Sequence, residues 1–590
     1  MWATHKGHLG VVKMLLERED LNPNLADTKS GRTPLAWASE KGYEGVVKVL
    51  LEREEVNPNQ ADTGYGKTPL LWATHKGHSG VVKMLLEPED INPNQTDTKL
   101  GRTPLTWAAE QGHEGLAKML LEREDIKPEI AETEYGWTPL LWASEKGHEG
   151  VVKILLERED INPNQADTMY GKTPLSWAAE FGYEGVAKML LERVDLDPNQ
   201  PDTKYGKTPL SWAAEFGHEG VAKVLLERED VNPNQPDTKY GKTPLSWAAE
   251  FGHKGVVKML LAREDVNPNQ PGTKNGKTPL SWATKNGHER VVKMLLQRGD
   301  VNPNQPDTKS GKAPLSWAAQ FGHEGVVKIL LGREDVNPNQ SDTKYGATPL
   351  SWASGCGHKG VVKILLQRDD VNPNQADIKY GQTPLSRAIR KGHQAIVGIL
   401  LERKDVCIAT PDNKGQIPLS LALSQGHDGI AKLIQEQGNA NSATADPGGQ
   451  TPLPPSPGNR NECAVEIQFR GNDSSAHTLD PNSLPTSPSA DHNGRAVALD
   501  SKDSISMSAD TDLSTELPNR PQPASSSLLM SQHPSLNTST HPSTTQAILS
   551  FATDRLFIIS SLVCLFAFLL YILSSSSSPD IFSFRKYLSG

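Results

Sequence analysis

Several things that mark an enzyme or a metal protein are missing from this chain of 590 residues. It has four cysteines, Cys356, Cys407, Cys463 and Cys564, and none stands in a C-x-x-C or His/Cys metal spacing. That usage points to a reducing compartment, with no structural zinc and no disulfide framework. Phosphate-cradling G-x-x-x-x-G-K-[ST] loops, nucleophile elbows and H-E-x-x-H helices are also lacking. No catalytic, cofactor-binding or metal-ligating residue is therefore assigned, and the expectation is a non-enzyme with no small-molecule substrate. Basic excess is lacking as well: the formal net charge is −10, which argues against nucleic acid as a partner. Long apolar runs are absent up to residue 555.

What is present is a period. The tripeptide T-P-L opens at Thr33, Thr68, Thr103, Thr138, Thr173, Thr208, Thr243, Thr278, Thr348 and Thr383, at a spacing of 35 residues or its multiple. Ala313 takes the Thr place once, and Ile417 opens a last copy one residue early. A fixed period of this size marks a stack of small units, each buried against its neighbours.

The unit Gly206–Tyr240 shows the local logic. Thr208 is a good helix N-cap and Pro209 suits the first helical turn. Leu210, Trp212, Ala213 and Ala214 follow at helical spacing, and Gly217 closes the helix. A second helix is predicted over about His218–Arg228, with Val221, Val224, Leu225 and Leu226 inward. The following N-P-N-Q-P-D-T-K-Y-G is dense in turn formers and reads as a finger.

Helix, turn, helix and finger, opened by T-P-L, resemble the ankyrin repeat. The runs Thr173–Tyr183 and Thr208–His218 carry the likeness, which covers about residues 2–437. The period exceeds the family's usual 33, and Ser and Trp follow T-P-L where the family has His. This variant is similar to the near-identical arrays at the C-terminal end of fungal NLR-like receptors. The resemblance implies an all-α solenoid: a leading half-unit over 1–32, then about twelve units over 33–437. It also implies an unidentified protein partner on the concave face formed by finger and first helix.

Repetition argues against special roles for single side chains. Eleven of thirteen places at the start of the second helix hold His, and Tyr43 and Tyr183 fill the others. A catalytic or metal-binding His would be singular, so the ring is expected to bond local backbone. The Trp series from Trp2 to Trp352 lies in phase with Leu and Ala and is expected in the core between units. Trp137 alone is out of phase.

Copies differ most at the finger and at the end of the first helix. Every Phe of the array, Phe181, Phe216, Phe251 and Phe321, stands at the helix end, and seven of nine Tyr stand at the finger. Three adjacent units therefore offer a candidate partner-binding stripe. Tyr170, Tyr205 and Tyr240 stand at its fingers, Phe181, Phe216 and Phe251 at its helix ends, and Glu180, Glu215 and Glu250 border it. Lys172, Lys207 and Lys242 are expected alongside at the surface. Aromatics in register supply contact area, and the charges set register.

The ends differ from the array. Met1–His8 aligns with Leu71–His78, so the chain starts inside a unit. No signal peptide is expected, and coding sequence upstream of Met1 is. That favours a second reading, in which the array is the ligand-sensing part of a signalling or defence receptor with a nucleotide-hydrolysing part upstream. Residues 438–555 are rich in Ser, Pro and Thr and acidic, with eleven acids against five bases over 438–545, and read as disordered. Leu556–Leu573 is uncharged over eighteen residues, enough for a membrane helix, and a short tail over 574–590 follows. A single-pass, tail-anchored protein with its array facing the cytosol is the expectation.

Overall fold

The computed structural model describes residues 1–443, apart from position 19. Residues 438–443, expected as the start of the disordered linker, continue the last helix, Asp428–Ala443; the rest of that linker, the membrane helix and the C-terminal tail lie outside the described residues. Within them the chain is all-helical, from Trp2–His5 to Asp428–Ala443, and no strand occurs among the described residues. No helix of the described residues is long and apolar enough to cross a membrane.

Each unit repeats the same local chemistry. Thr208 is extended (φ −76°, ψ 163°) and its hydroxyl accepts the N–H of Ser211, so the first helix runs Pro209–Phe216. Gly217 ends it at φ 74°, in the left-handed region that costs a side-chain-bearing residue steric strain. A Cβ there would also strike the His253 imidazole of the next unit. The second helix is shorter than expected, Glu219–Leu226. Its buried stripe is Val221, Ala222 and Leu225, while Val224 and Leu226 are only half-buried. First helices pack on first helices and second on second, and one continuous core from Ala3 to Ile434 runs between the two rows.

Polar bonds tie each layer to the next. The Asn234 side chain donates to the Asp265 carbonyl (2.7 Å) and accepts the Asn267 N–H (2.8 Å), and the same pattern recurs down the array. Arg228 grips Asp230 through two nitrogens and donates to the Leu191 carbonyl of the preceding second helix (2.6 Å). A cation at a helix C-terminus satisfies orphan carbonyls and complements the dipole. The histidines do not bond local backbone as expected. His218 Nε2 donates to the Glu180 carbonyl one unit back (2.9 Å), and His253 does the same to Glu215 (2.8 Å). A Tyr ring fills the same packing slot, which is why Tyr183 is tolerated: its ring lies against Gly147.

The expectation of unpaired cysteines holds for Cys356. It does not hold for Cys407, which is disulfide-bonded.

A buried ladder of indoles and cations

The finger is organised by one buried carboxylate. Asp202 accepts the Tyr205 N–H at 2.6 Å and the Lys207 N–H at 3.1 Å, closing the turn. Its second oxygen also accepts the Trp212 indole N–H at 3.1 Å, which fixes the ring. The same Asp–Trp bond forms at Trp72, Trp107, Trp177, Trp247, Trp317 and Trp352.

Between successive indoles sits a cation. Lys172 Nζ lies 4.2 Å from the Trp177 ring and 3.9 Å from that of Trp212. Lys207 lies 4.2 Å from Trp212 and 4.1 Å from Trp247, and Lys242 lies between Trp247 and Trp282. Arg32 and Arg102 fill equivalent places near the start. Each such contact is worth about 0.5–2 kcal/mol, more as water is excluded. Each lysine is neutralised from its own unit: Lys172 pairs with Glu180 and Lys207 with Glu215, both at 2.5 Å, and Lys242 pairs with Glu250. Burial pushes the Lys172 and Lys207 ammonium groups down and the Glu215 carboxyl up, and the pairing opposes both shifts.

This corrects the expected surface. Lys172, Lys207 and Lys242 are 3, 2 and 5 % exposed and lie inside, between the tryptophans. Glu250 is buried and Glu180 and Glu215 nearly so. Tyr205 is buried, and Tyr170 and Tyr240 are half-buried, each edge-on to the indole seven residues on at 5.4–5.8 Å. Phe216 and Phe251 reach outward, whereas Phe181 is half-buried against the core. Phe181, Phe216 and Phe251 stack on Trp177, Trp212 and Trp247 at 6.0–6.1 Å, and Phe216, Phe251 and Phe321 are 36, 37 and 38 % exposed. The predicted stripe is therefore layered: a row of phenylalanine faces outside, an ion-pair and indole ladder beneath.

Irregular units have a physical reading. Trp137 occupies the cation place, 4.5 Å from Trp142 and 5.0 Å from Trp177, so an indole stacks where an ammonium sits elsewhere. Glu145, without that cation, turns to Lys146 at 3.0 Å. In the unit of Trp72 the acid is replaced by His75, whose Nδ1 lies 3.0 Å from Lys67 Nζ. Arg387 replaces an indole and lies 5.0 Å from Trp352. The signal was legible in the sequence: the residue before T-P alternates only among Lys, Arg and a few substitutes, five residues ahead of Trp.

A family model described as ankyrin repeats (three copies) matches overlapping segments from 1–62 to 315–412. The match concerns the repeat and carries no information on the narrower likeness to fungal receptors. No match was found among curated proteins.

Proposed function

The chain belongs to the ankyrin-repeat family, a protein–protein interaction module, and on that premise we propose that the phenylalanine row is the centre of its partner footprint. The observation that carries this is the exposure of Phe216, Phe251 and Phe321 at one repeat position, above rungs in which Lys207, Lys242 and Lys312 are already paired with Glu215, Glu250 and Gln320. Exposed aromatics held rigidly by stacking offer large contact area at low entropy cost. The charges beneath them position the rings and do not meet the partner first.

The test is the triple change Phe181→Ala, Phe216→Ala and Phe251→Ala. Partners captured by proximity labelling with the wild-type chain should bind the variant at least tenfold more weakly, with helix content and melting nearly unchanged. Collapse of melting, with normal binding by the protein that stays folded, would make the row structural.

The uncharged run Leu556–Leu573 supports a second part of the proposal: a C-terminal membrane helix holds the array at a membrane, with the array in the cytosol. Full-length protein is expected to stay with membranes after carbonate washing, and protein ending at Gln546 to be released. Equal release of the two would remove the anchor.

A further inference from the structure

The fingertips carry a second row, unlike the phenylalanine row in chemistry. Lys204, Lys239, Lys274, Lys309, Lys344 and Lys379 occupy one position in six consecutive fingers, and all are exposed. Earlier units break the row: Gly64, Glu134 and Met169 stand there instead. We propose that this lysine row docks an extended acidic segment of a partner protein. The inference rests on the array being a protein-binding module but not on the phenylalanine row.

Two features support a built surface over a solvated charge run. The first is register. Main-chain bonds join one fingertip to the next, from Thr203 N to the Tyr170 carbonyl (3.0 Å), Lys239 N to Tyr205 (3.0 Å), Thr308 N to Asn275 (3.1 Å), Thr343 N to Ser310 (3.2 Å) and Ile378 N to Tyr345 (2.9 Å). The second is order in the side chains. Lys204 Nζ lies 4.4 Å from the Tyr170 ring and 5.3 Å from that of Tyr205, and Lys239 lies 4.7 Å from Tyr205 and 5.1 Å from Tyr240. Lys379 lies 5.1 Å from both Tyr345 and Tyr380. An ammonium group held against two rings, as at these three lysines, loses less freedom on meeting a carboxylate than one in open solvent does.

Geometry narrows the ligand. Units stacked by helix packing repeat at about 10 Å. A chain in the polyproline II conformation advances about 3.1 Å per residue with three residues per turn, so acids at every third position stand on one face and meet one lysine per unit. A nucleic acid would profit from a basic excess that a chain of net charge −10 does not have.

The probe is a labelled synthetic peptide of about 18 residues, with Glu at every third position and Pro or Ser between to favour polyproline II. A peptide of the same composition with its acids clustered is the control. The full chain should bind the spaced peptide at least tenfold more tightly than the clustered one. Replacing all six lysines by Gln should abolish that preference and weaken binding at least tenfold, with melting unchanged. The triple phenylalanine variant should bind the spaced peptide normally, so failure here leaves the phenylalanine reading to its own test. Equal binding of both peptides, undiminished binding by the lysine variant, or tighter binding of single-stranded DNA than of the spaced peptide would overturn the proposal.

Discussion

Lys67 Nζ lies 3.0 Å from His75 Nδ1, at the place where the unit of Trp212 sets Lys207 against Glu215. Burial first, and then Lys67, hold the His75 pKa down at about 3. Burial, opposed by Asp97, brings Lys67 down to about 8. Between pH 6.5 and 3 the unfolded chain takes up a proton at His75 that the folded chain does not, so stability falls as the pH falls through that window. Between about 8 and 10.5 the unfolded chain alone keeps the Lys67 proton, so stability rises with pH there. Gln320 accepts from Lys312 at 2.7 Å in a later unit, so His75→Gln keeps a partner without a titration. From pH 6.5 to 4.5 the wild-type chain should lose about 2 kcal/mol more than the variant in urea unfolding. Parallel curves would mean that His75 titrates normally.

Ala313 leaves two groups unserved. Thr208 caps the Ser211 N–H and donates to the Ser211 hydroxyl at 3.2 Å, whereas Ala313 offers no cap, and Ser316 Oγ is buried without a partner. The backbone at Ala313 is already extended (φ −74°, ψ 161°), so Thr fits unstrained. Ala313→Thr should stabilise the array by about 1 kcal/mol and slow amide exchange in Pro314–Phe321. No change in either would show that the cap is redundant in a packed stack.

Glu132 stands where every other finger but that of Gly272 has Asp. Its longer side chain still accepts the Tyr135 N–H at 2.6 Å, but its second oxygen and the Trp142 indole nitrogen are both buried without partners. Burial pushes the Glu132 carboxyl up. Glu132→Asp should restore the indole bond and stabilise by about 1–2 kcal/mol, and Asp202→Glu should destabilise by a similar amount. A melting temperature that moves the wrong way in either variant would show that the extra methylene is not the cause.

Much of the fold was legible because T-P-L, the helix-ending Gly and the N-P-N finger each state a local conformation, and repetition averages out local errors. The second helix proved shorter because Arg228 leaves it to cap the preceding helix, a long-range bond that propensity does not encode. The histidines were misread for a similar reason: their partner lies 38 residues away, in the preceding unit. At the site, lysine was placed outside because charge usually is. A buried Lys207 needs Glu215 eight residues on and two indoles from successive units, and only stacking brings those four groups together.

Trp212 is where these contacts meet, and its removal is the most demanding check on the ladder. The side chain is fully buried, bonded to Asp202, stacked on Phe216 and flanked by Lys172 and Lys207. Trp212→Ala opens a cavity, leaves one Asp202 oxygen without its indole donor, and strips one aromatic face from each of two buried ammonium groups. The cost should be about 3–5 kcal/mol. Because units couple to their neighbours, the damage should be local, with fast amide exchange near Pro209–Phe216 and protected helices several units away. Trp212→Phe should recover part of the loss, since a phenyl face still meets both cations but cannot bond Asp202. A loss below about 1 kcal/mol, with partner binding gone instead, would place Trp212 in the interface and remove the ladder as the internal support of the array.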